Sequence, residues 1–181
     1  MDFKHLKKFK KILVTGPQRS GTTFAANIIA SDLGYLYVDE RHIGIRSLTA
    51  LFTKLIDNNS CVIHGPCFCP VCHWIDTPDT AIIILRRSVE DIIASQLRIE
   101  WTYEESELLY CFSDEGPISK VRYNLFDKYQ KKLLKIPYFE IEYEELASHP
   151  LWVDKDNRKN FHPRQYKVEY KYSKINYAYL I

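Results

Sequence analysis

One segment near the start of the chain combines glycines, a cation and hydroxyls at close spacing. Residues 16–23 read GPQRSGTT, after the short apolar run KILVT and before a stretch, 22–33, with apolar residues at helical spacing. In a strand, glycine loop and helix, the backbone N–H groups and the helix N-terminus point toward one anion. The segment therefore predicts a phosphate-binding loop. The alternative is a glycine turn whose hydroxyls only cap the helix at Thr22.

The loop lacks the lysine that is typical of nucleotide-hydrolysing proteins. Its glycines match the G-x4-G spacing, but the position directly after the second glycine holds Thr22 instead of Lys. The cation comes earlier, at Arg19, where a guanidinium could offset charge that develops on a bridging oxygen as a donor bond breaks. Hydrolysis of ATP or GTP is therefore disfavoured as the function.

A second polar group follows the most apolar stretch of the chain. Residues 80–85, TAIIIL, predict a buried central strand, and LRRSVEDIIAS then leads into an amphipathic helix from about Ser88. Ser95 comes eight residues after Arg87, slightly more than two helical turns, so both side chains could bind one phosphate. Asp91 would orient Arg87 or the helix start. The alternative is an arginine pair that is solvated at a strand end.

These two groups resemble the donor-binding motifs of sulfotransferases that use 3′-phosphoadenosine-5′-phosphosulfate (PAPS), with local similarity to tyrosylprotein, carbohydrate and cytosolic members. RSGTT resembles their 5′-phosphosulfate loop, Arg87 with Ser95 their 3′-phosphate motif, and YEEL at 143–146 their strand end near the adenine. The similarity lies in islands between about Lys11 and Pro150. It implies a sulfuryl transfer from PAPS to a hydroxyl of a sugar, phenol or tyrosine, with no metal required. It also implies a catalytic role for Arg19, and donor binding by Arg19, Ser20, Gly21, Thr22, Thr23, Arg87, Ser95 and Tyr143.

Transfer to an alcohol needs a base on the far side of sulfur from the leaving phosphate, and two residues compete for that role. Glu40 follows Arg19 by twenty-one positions, which resembles the placement of the glutamate base in tyrosylprotein and some carbohydrate sulfotransferases. His64 begins a His-Gly-Pro segment that resembles the His-x-Pro base of cytosolic members, and imidazole needs no tuning to act near neutral pH. The chemistry favours His64 and the spacing favours Glu40, toward which we lean.

Two other functions stay open on the sequence. A small P-loop kinase that uses ATP and Mg²⁺ would share the strand, loop and helix, but it should carry the loop lysine and a metal-binding carboxylate. A nucleotide-binding module without catalysis could use the tyrosine-rich tail for a partner or for a homodimer.

Four of the five cysteines, Cys61, Cys67, Cys69 and Cys72, fall within twelve residues, a layout unlike a secreted disulfide framework. We therefore expect reduced thiols and a cytoplasmic protein. Cys67, Cys69, Cys72 and His73 are metal-ligand types and could bind zinc. Alternatively, the thiols are buried or idle beside the acceptor pocket.

Strand and helix patterns alternate along the chain and predict an α/β fold, a three-layer doubly wound sheet of about five mainly parallel strands. The predicted strands cover 11–15, 35–38, 61–64, 80–85 and 138–141, and the predicted helices 22–33, 46–57, a stretch from about 88, and 118–134. In the last helix, apolar residues recur every four positions, a spacing that marks a helix: Val121, Leu125, Tyr129 and Leu133.

The bulk properties fit one domain. The 181 residues are 46% hydrophobic, and we expect a nucleotide-binding core over about 1–150 and a tail over 151–181 that could form a hairpin around Ser173 and Lys174. The net charge of +2 gives no general attraction to nucleic acid or to an anionic membrane. The basic N-terminus has no apolar run long enough for a signal peptide or a membrane anchor.

Overall fold

The computed structural model describes residues 1–40, 47–98 and 118–152. Its centre is a five-stranded sheet with the order β2-β3-β1-β4-β5, in which all neighbours pair in parallel. The strands are β1 (Lys11–Thr15), β2 (Leu36–Asp39), β3 (Cys61–His64), β4 (Thr80–Arg86) and β5 (Tyr138–Glu142). The α/β class and the five strands are confirmed, and each strand bound agrees with the prediction to within one residue.

Helices connect the strands. They are α1 (Thr22–Leu33), α2 (Leu48–Ile56), α3 (Val89–Leu97), α4 (Ile118–Leu125) and α5 (Lys131–Leu133), with a π-helical turn at Phe126–Gln130 and 3-10 helices at Lys4–Lys8, Pro66–Trp74 and Tyr143–Ser148. Gly34, at φ +66°, ends α1 as predicted. Ser88 caps α3, because its hydroxyl accepts a hydrogen bond from the Asp91 N–H (3.1 Å). None of the described helices is long and apolar enough to cross a membrane.

Both faces of the sheet are covered, which explains why its central strands are apolar throughout. Successive strand residues point to opposite faces. Ile12 and Val14 therefore pack with α1 in one core, whereas Leu13 packs with α2 in the other. A sheet between two helical layers is the predicted three-layer arrangement. The hairpin predicted around Ser173 and Lys174 lies outside the described residues.

The segment predicted as one helix over 118–134 is helical, but it buries a different face. Phe126 and Gln130 are buried, whereas Tyr129 is 62% exposed and Leu133 is 56% exposed, so the apolar residues that recur every four positions do not mark the buried face. A π-helical turn has a wider repeat than an α-helix, so a four-residue spacing does not hold through it. The Gln130 side-chain amide donates to the Pro70 carbonyl of the neighbouring 3-10 helix, which holds this polar residue in the interior.

The strand order brings polar strand ends together at one edge of the sheet. From β1 the chain passes to the edge strand β2, returns through β3, and then crosses to β4 and β5. The topological switch point, where ligands bind in open α/β sheets, therefore lies at the carboxyl end of β1. Val14 is in register with His64, and His64 with Asp39, while β4 ends at Arg86 on the other side of β1. This edge carries the glycine loop and the predicted site residues.

Candidate anion-binding site

The glycine loop joins β1 to α1 in a conformation that only glycine adopts easily at both of its ends. Gly16 has φ +144°, and a Cβ there would lie 2.8 Å from the Leu85 carbonyl oxygen. Gly21, at φ +99°, directly precedes α1. Between them Arg19 takes a left-handed φ of +71°, which is unusual for a non-glycine residue and costs backbone strain. Such strain is concentrated at functional sites, and the Arg19 side chain here reaches Ser95 on α3.

Three buried side-chain atoms in the described residues have no hydrogen-bond partner: Ser20 Oγ, His64 Nδ1 and Arg87 Nε. All three belong to residues that the sequence predicts for this site. Leaving such an atom unpaired costs about 1–3 kcal/mol, so a cluster of them calls for an explanation. Ser20 and Arg87 both offer donors, and the partner that would satisfy them is an acceptor. Phosphate and sulfate oxygens are acceptors of this kind.

His64 lies beneath the start of α1 and contacts the loop threonines directly. Its Nε2 is 3.1 Å from both the Thr22 and the Thr23 hydroxyl oxygens, and the residue is only 6% exposed. Its Nδ1 faces Asp39 Oδ2 at 3.5 Å, which is longer than a well-formed hydrogen bond. Asp39 also accepts a hydrogen bond from the Tyr37 hydroxyl (3.1 Å). This buried chain of groups fixes the orientation of two hydroxyls at the helix N-terminus.

The two arginines at the end of β4 have different partners. Arg86 pairs with Asp127 and with Glu140 (2.6 Å), and its guanidinium lies 5.2 Å from the centre of the Phe126 ring. Burial would lower the pKa of Arg86, but hydrogen bonds from the guanidinium to these two carboxylates raise it overall. Arg86 is therefore held within the fold by opposite charges.

Arg87 turns instead toward the glycine loop. Its Nη1 donates to the Arg19 carbonyl oxygen (3.1 Å). The Tyr123 hydroxyl accepts from the Arg87 N–H (3.0 Å) and donates to the Leu85 carbonyl (3.1 Å), which fixes the strand end. Burial raises the pKa of Tyr123, so the hydroxyl keeps its proton. The salt bridges among the described residues include Arg86 and leave out Arg87. Of the two adjacent arginines, Arg87 is therefore the one whose guanidinium can bind a ligand.

Ser95 lies on α3 beside the Arg19 side chain. Its hydroxyl oxygen accepts from Arg19 Nε (3.2 Å) and Nη2 (3.1 Å), and from Arg98 Nη2 (3.3 Å). Arg87 reaches the same group through the Arg19 backbone. Arg87 and Ser95, which the sequence predicts to bind one phosphate, thus lie on either side of Arg19 in one cluster. Asp91 takes part through its backbone N–H, in the cap of α3.

Tyr143, the first residue of the 3-10 helix after β5, closes over the loop. A Cβ on Gly21 would fall 2.5 Å from its Cε2, and the Arg87 guanidinium lies 4.3 Å from its ring centre. Trp152 packs edge-on against the same ring, with centroids 5.5 Å apart. Tyr143 therefore joins the glycine loop to Arg87, while its ring also packs against the core.

Glu40 directly follows β2 in the chain. In space it lies next to the first turn of the 3-10 helix Pro66–Trp74. Its carboxylate accepts the Cys67 N–H at 3.4 Å, and the side chain is partly exposed. Unlike His64, Glu40 has no described hydrogen bond to the loop threonines, so the two candidate bases occupy different surroundings.

The described cysteines pack as thiols, with Cys69 next to Gly16 of the loop and Cys61 at the amino end of β3. Cys61, Cys69 and Cys72 are buried, and none of the cysteines described forms a disulfide. Burial raises the pKa of Cys69 to about 11 and raises that of Cys72 as well, so both stay protonated at neutral pH. Among residues 1–40, 47–98 and 118–152, no three His, Cys, Asp or Glu side chains group as metal ligands. The buried positions of Cys61, Cys69 and Cys72 agree with the predicted alternative of buried thiols.

Sequence reasoning found most of the residues gathered here and missed two that contact them. Asp39 is not among the predicted residues, although it ends the strand beside His64; the aligned carboxyl ends of neighbouring parallel strands are the signal that identifies it. Arg98 was not considered, although it follows Ser95 by three residues and so shares its helix face.

The comparisons add no family assignment. No protein-family model matches the chain, and no curated protein matches it. The function is therefore argued from the site itself and from the motifs quoted above.

Proposed function

We propose that this protein is a PAPS-dependent sulfotransferase that transfers a sulfuryl group to a hydroxyl acceptor. One observation carries the proposal: the Arg87 guanidinium donates to the Arg19 carbonyl at 3.1 Å. The two motifs that resemble binding sites for the opposite ends of the donor lie far apart in sequence, and here they meet. A donor with phosphate groups on both sides of one ribose would span such a pair.

The residues fit this donor through their unpaired groups. Arg19 with Ser20, Gly21, Thr22 and Thr23 would hold the 5′-phosphosulfate, and the buried Ser20 hydroxyl would gain the acceptor it lacks. Arg87 and Ser95 would hold the 3′-phosphate, and Tyr143 would lie on the adenine side. When bound, PAPS supplies an activated sulfuryl group. The Arg19 guanidinium would offset the negative charge that develops on the leaving phosphate.

Glu40 is the base in this proposal, and His64 is a positioning residue. The Nε2 atom of His64 is already within hydrogen-bond distance of two loop hydroxyls, and the ring is almost fully buried. A base must reach an acceptor that arrives from solvent, and the partly exposed Glu40 suits that better. Its carboxylate would take the acceptor proton, while His64 keeps Thr22 and Thr23 turned toward the donor.

Two matched amide variants separate these roles. We expect Glu40→Gln to lower kcat by about 100-fold or more, the usual effect of losing a general base, with donor affinity unchanged. His64→Gln should chiefly weaken donor binding. If His64→Gln instead lowers kcat with donor affinity intact, while Glu40→Gln stays active, then His64 is the base and the roles are exchanged.

The kinase alternative is less well supported by the geometry. In ATP-dependent P-loops the hydroxyl that follows the lysine ligates Mg²⁺. Thr23 holds that position here, and its hydroxyl oxygen lies 3.1 Å from His64 Nε2 rather than beside a carboxylate. With Thr22 in place of the lysine, the loop also lacks the cation that reaches the β- and γ-phosphates of ATP.

Turnover decides between an enzyme and a binding module without catalysis. Purified protein is incubated with ³⁵S-labelled PAPS and, in separate reactions, with a phenol, a sugar and a tyrosine peptide. We expect labelled product from at least one acceptor class, and no product from Arg19→Ala. Binding of PAPS without transfer to any of them would support the non-catalytic module.

We also propose a cytoplasmic location, which the reduced thiols favour.

A further inference from the structure

The hydroxyl oxygen of Ser95 receives more hydrogen-bond donors than it can accept. Arg19 Nε, Arg19 Nη2 and Arg98 Nη2 all approach it within 3.1–3.3 Å. A serine oxygen has two lone pairs, so three donors exceed its capacity. Ser95 is buried, and its own O–H is a further donor that these three contacts leave without an acceptor. The group around Ser95 therefore has an excess of donors.

Positive charge accumulates at the same place. Arg19 and Arg98 donate to one oxygen, so their guanidinium groups lie side by side, and Arg87 donates to the Arg19 carbonyl. Arg87 Nε is buried without a partner. Within the part of the chain that the structure describes, no carboxylate forms an ion pair with Arg87 or Arg98, in contrast to Arg86 beside them. Like charges this close repel each other unless an anion lies between them.

We propose that Arg98 is a third anion-binding residue, which completes a subsite for a terminal phosphate dianion with Arg87 and Ser95, next to Arg19 at the phosphosulfate loop. A phosphate group has only acceptor oxygens and nearly two negative charges, so it would satisfy the surplus donors and relieve the repulsion together. The proposal deepens the function proposed above, and rests on it for identifying this ligand as the 3′-phosphate of the donor. Arg98 then selects nucleotides that carry that phosphate.

Calorimetric titration in EDTA tests this selectivity with two nucleotides that differ by one phosphate, adenosine 3′,5′-bisphosphate and adenosine 5′-monophosphate. We expect Arg98→Ala to weaken the bisphosphate by about tenfold or more, the loss typical of a charge-assisted hydrogen bond, and to change the monophosphate by less than about threefold. Arg98→Lys should restore part of the affinity. Lys135→Ala is the control, since it removes an exposed cation that pairs with Asp76 outside this cluster.

The same variants separate a failure of this proposal from a failure of the proposed function. If the wild-type protein binds neither nucleotide, the sulfotransferase assignment fails, and inorganic phosphate then tests the subsite alone. Phosphate should raise the Tm of the wild-type protein above that in chloride of equal ionic strength, and Arg98→Ala should remove the rise. The subsite is refuted if phosphate has no effect, if Arg98→Ala keeps the full effect, or if this variant weakens both nucleotides equally.

Discussion

The contact between Tyr143 and the glycine loop can be tested with a pair of glycine substitutions. Gly21 and Gly34 flank the same helix and both have positive φ, at +99° and +66°. Alanine at either position lowers the free energy of unfolding by about 1–2 kcal/mol, because a residue with a Cβ disfavours the left-handed backbone conformation. At Gly34 the added methyl meets nothing within 4 Å, whereas at Gly21 it would fall 2.5 Å from Tyr143 Cε2. Forcing such an atom into a packed region costs about a further 1–3 kcal/mol.

We therefore expect Gly21→Ala to lower the free energy of unfolding by about 1–3 kcal/mol more than Gly34→Ala does. Urea denaturation followed by circular dichroism measures both. Because φ +99° lies farther from the left-handed minimum than +66°, part of that difference is independent of Tyr143. Repeating both substitutions in a Tyr143→Ala background isolates the clash, as in a double-mutant cycle. In that background the difference in unfolding free energy between Gly21→Ala and Gly34→Ala should shrink. If it stays the same, the packing of Tyr143 on the loop is refuted.

Three further outcomes are expected elsewhere in the chain. Burial would raise the pKa of Asp57, but hydrogen bonds from Lys11 and Lys54 lower it far below its ordinary value. The stabilisation is present above about pH 4 and is lost as pH falls, so Asp57→Asn should flatten the acid limb of stability measured in urea. Iodoacetamide at neutral pH should alkylate Cys67 well before Cys69, whose pKa burial raises to about 11, and peptide mass spectrometry that finds equal rates contradicts this. Ser88→Ala should cost about 1 kcal/mol in thermal unfolding, through loss of the α3 cap.

The strands and the first helix could be predicted because local patterns determine them. The run TAIIIL is buried on both faces in β4, and Gly34 marks the end of α1 through a backbone conformation that glycine adopts easily. Parallel strands also place their carboxyl ends at one edge, which is why His64, at the end of β3, and Arg87, directly after β4, lie near the glycine loop that follows β1. The strands, the end of α1 and the shared edge all follow from the order and spacing of residue types along the sequence.

Side-chain partners depend on packing between elements, and here the predictions were less accurate. The spacing of Ser95 from Arg87 along the sequence gives no sign that Arg19 reaches across from the loop and donates to the serine oxygen. In the helical segment after 118, the π-helical turn buries Phe126 and Gln130 and leaves Tyr129 exposed. A wider turn of this kind leaves no signal in a pattern of apolar residues, and neither does the hydrogen bond from Gln130 to the Pro70 carbonyl of another element.

Two adjacent arginines, Arg86 at the end of β4 and Arg87 directly after it, offer a matched pair of substitutions to test the donor site. Arg86 pairs with Asp127 and Glu140, so Arg86→Met should mainly destabilise the fold by leaving two carboxylates without their partner. Arg87 donates to the loop, so Arg87→Met should mainly change which nucleotide is bound. Stability and affinity should thus respond separately to substitutions one residue apart.

Competition between adenosine 3′,5′-bisphosphate and adenosine 5′-diphosphate in EDTA tests the central claim most directly, because the two nucleotides carry the same number of phosphates in different places. The account predicts that the wild-type protein prefers the 3′,5′-bisphosphate by at least about tenfold, the value of one charge-assisted hydrogen bond, and that Arg87→Met abolishes the preference while Arg86→Met retains it. A preference for the 5′-diphosphate, or a selectivity that Arg87→Met leaves unchanged, would contradict it.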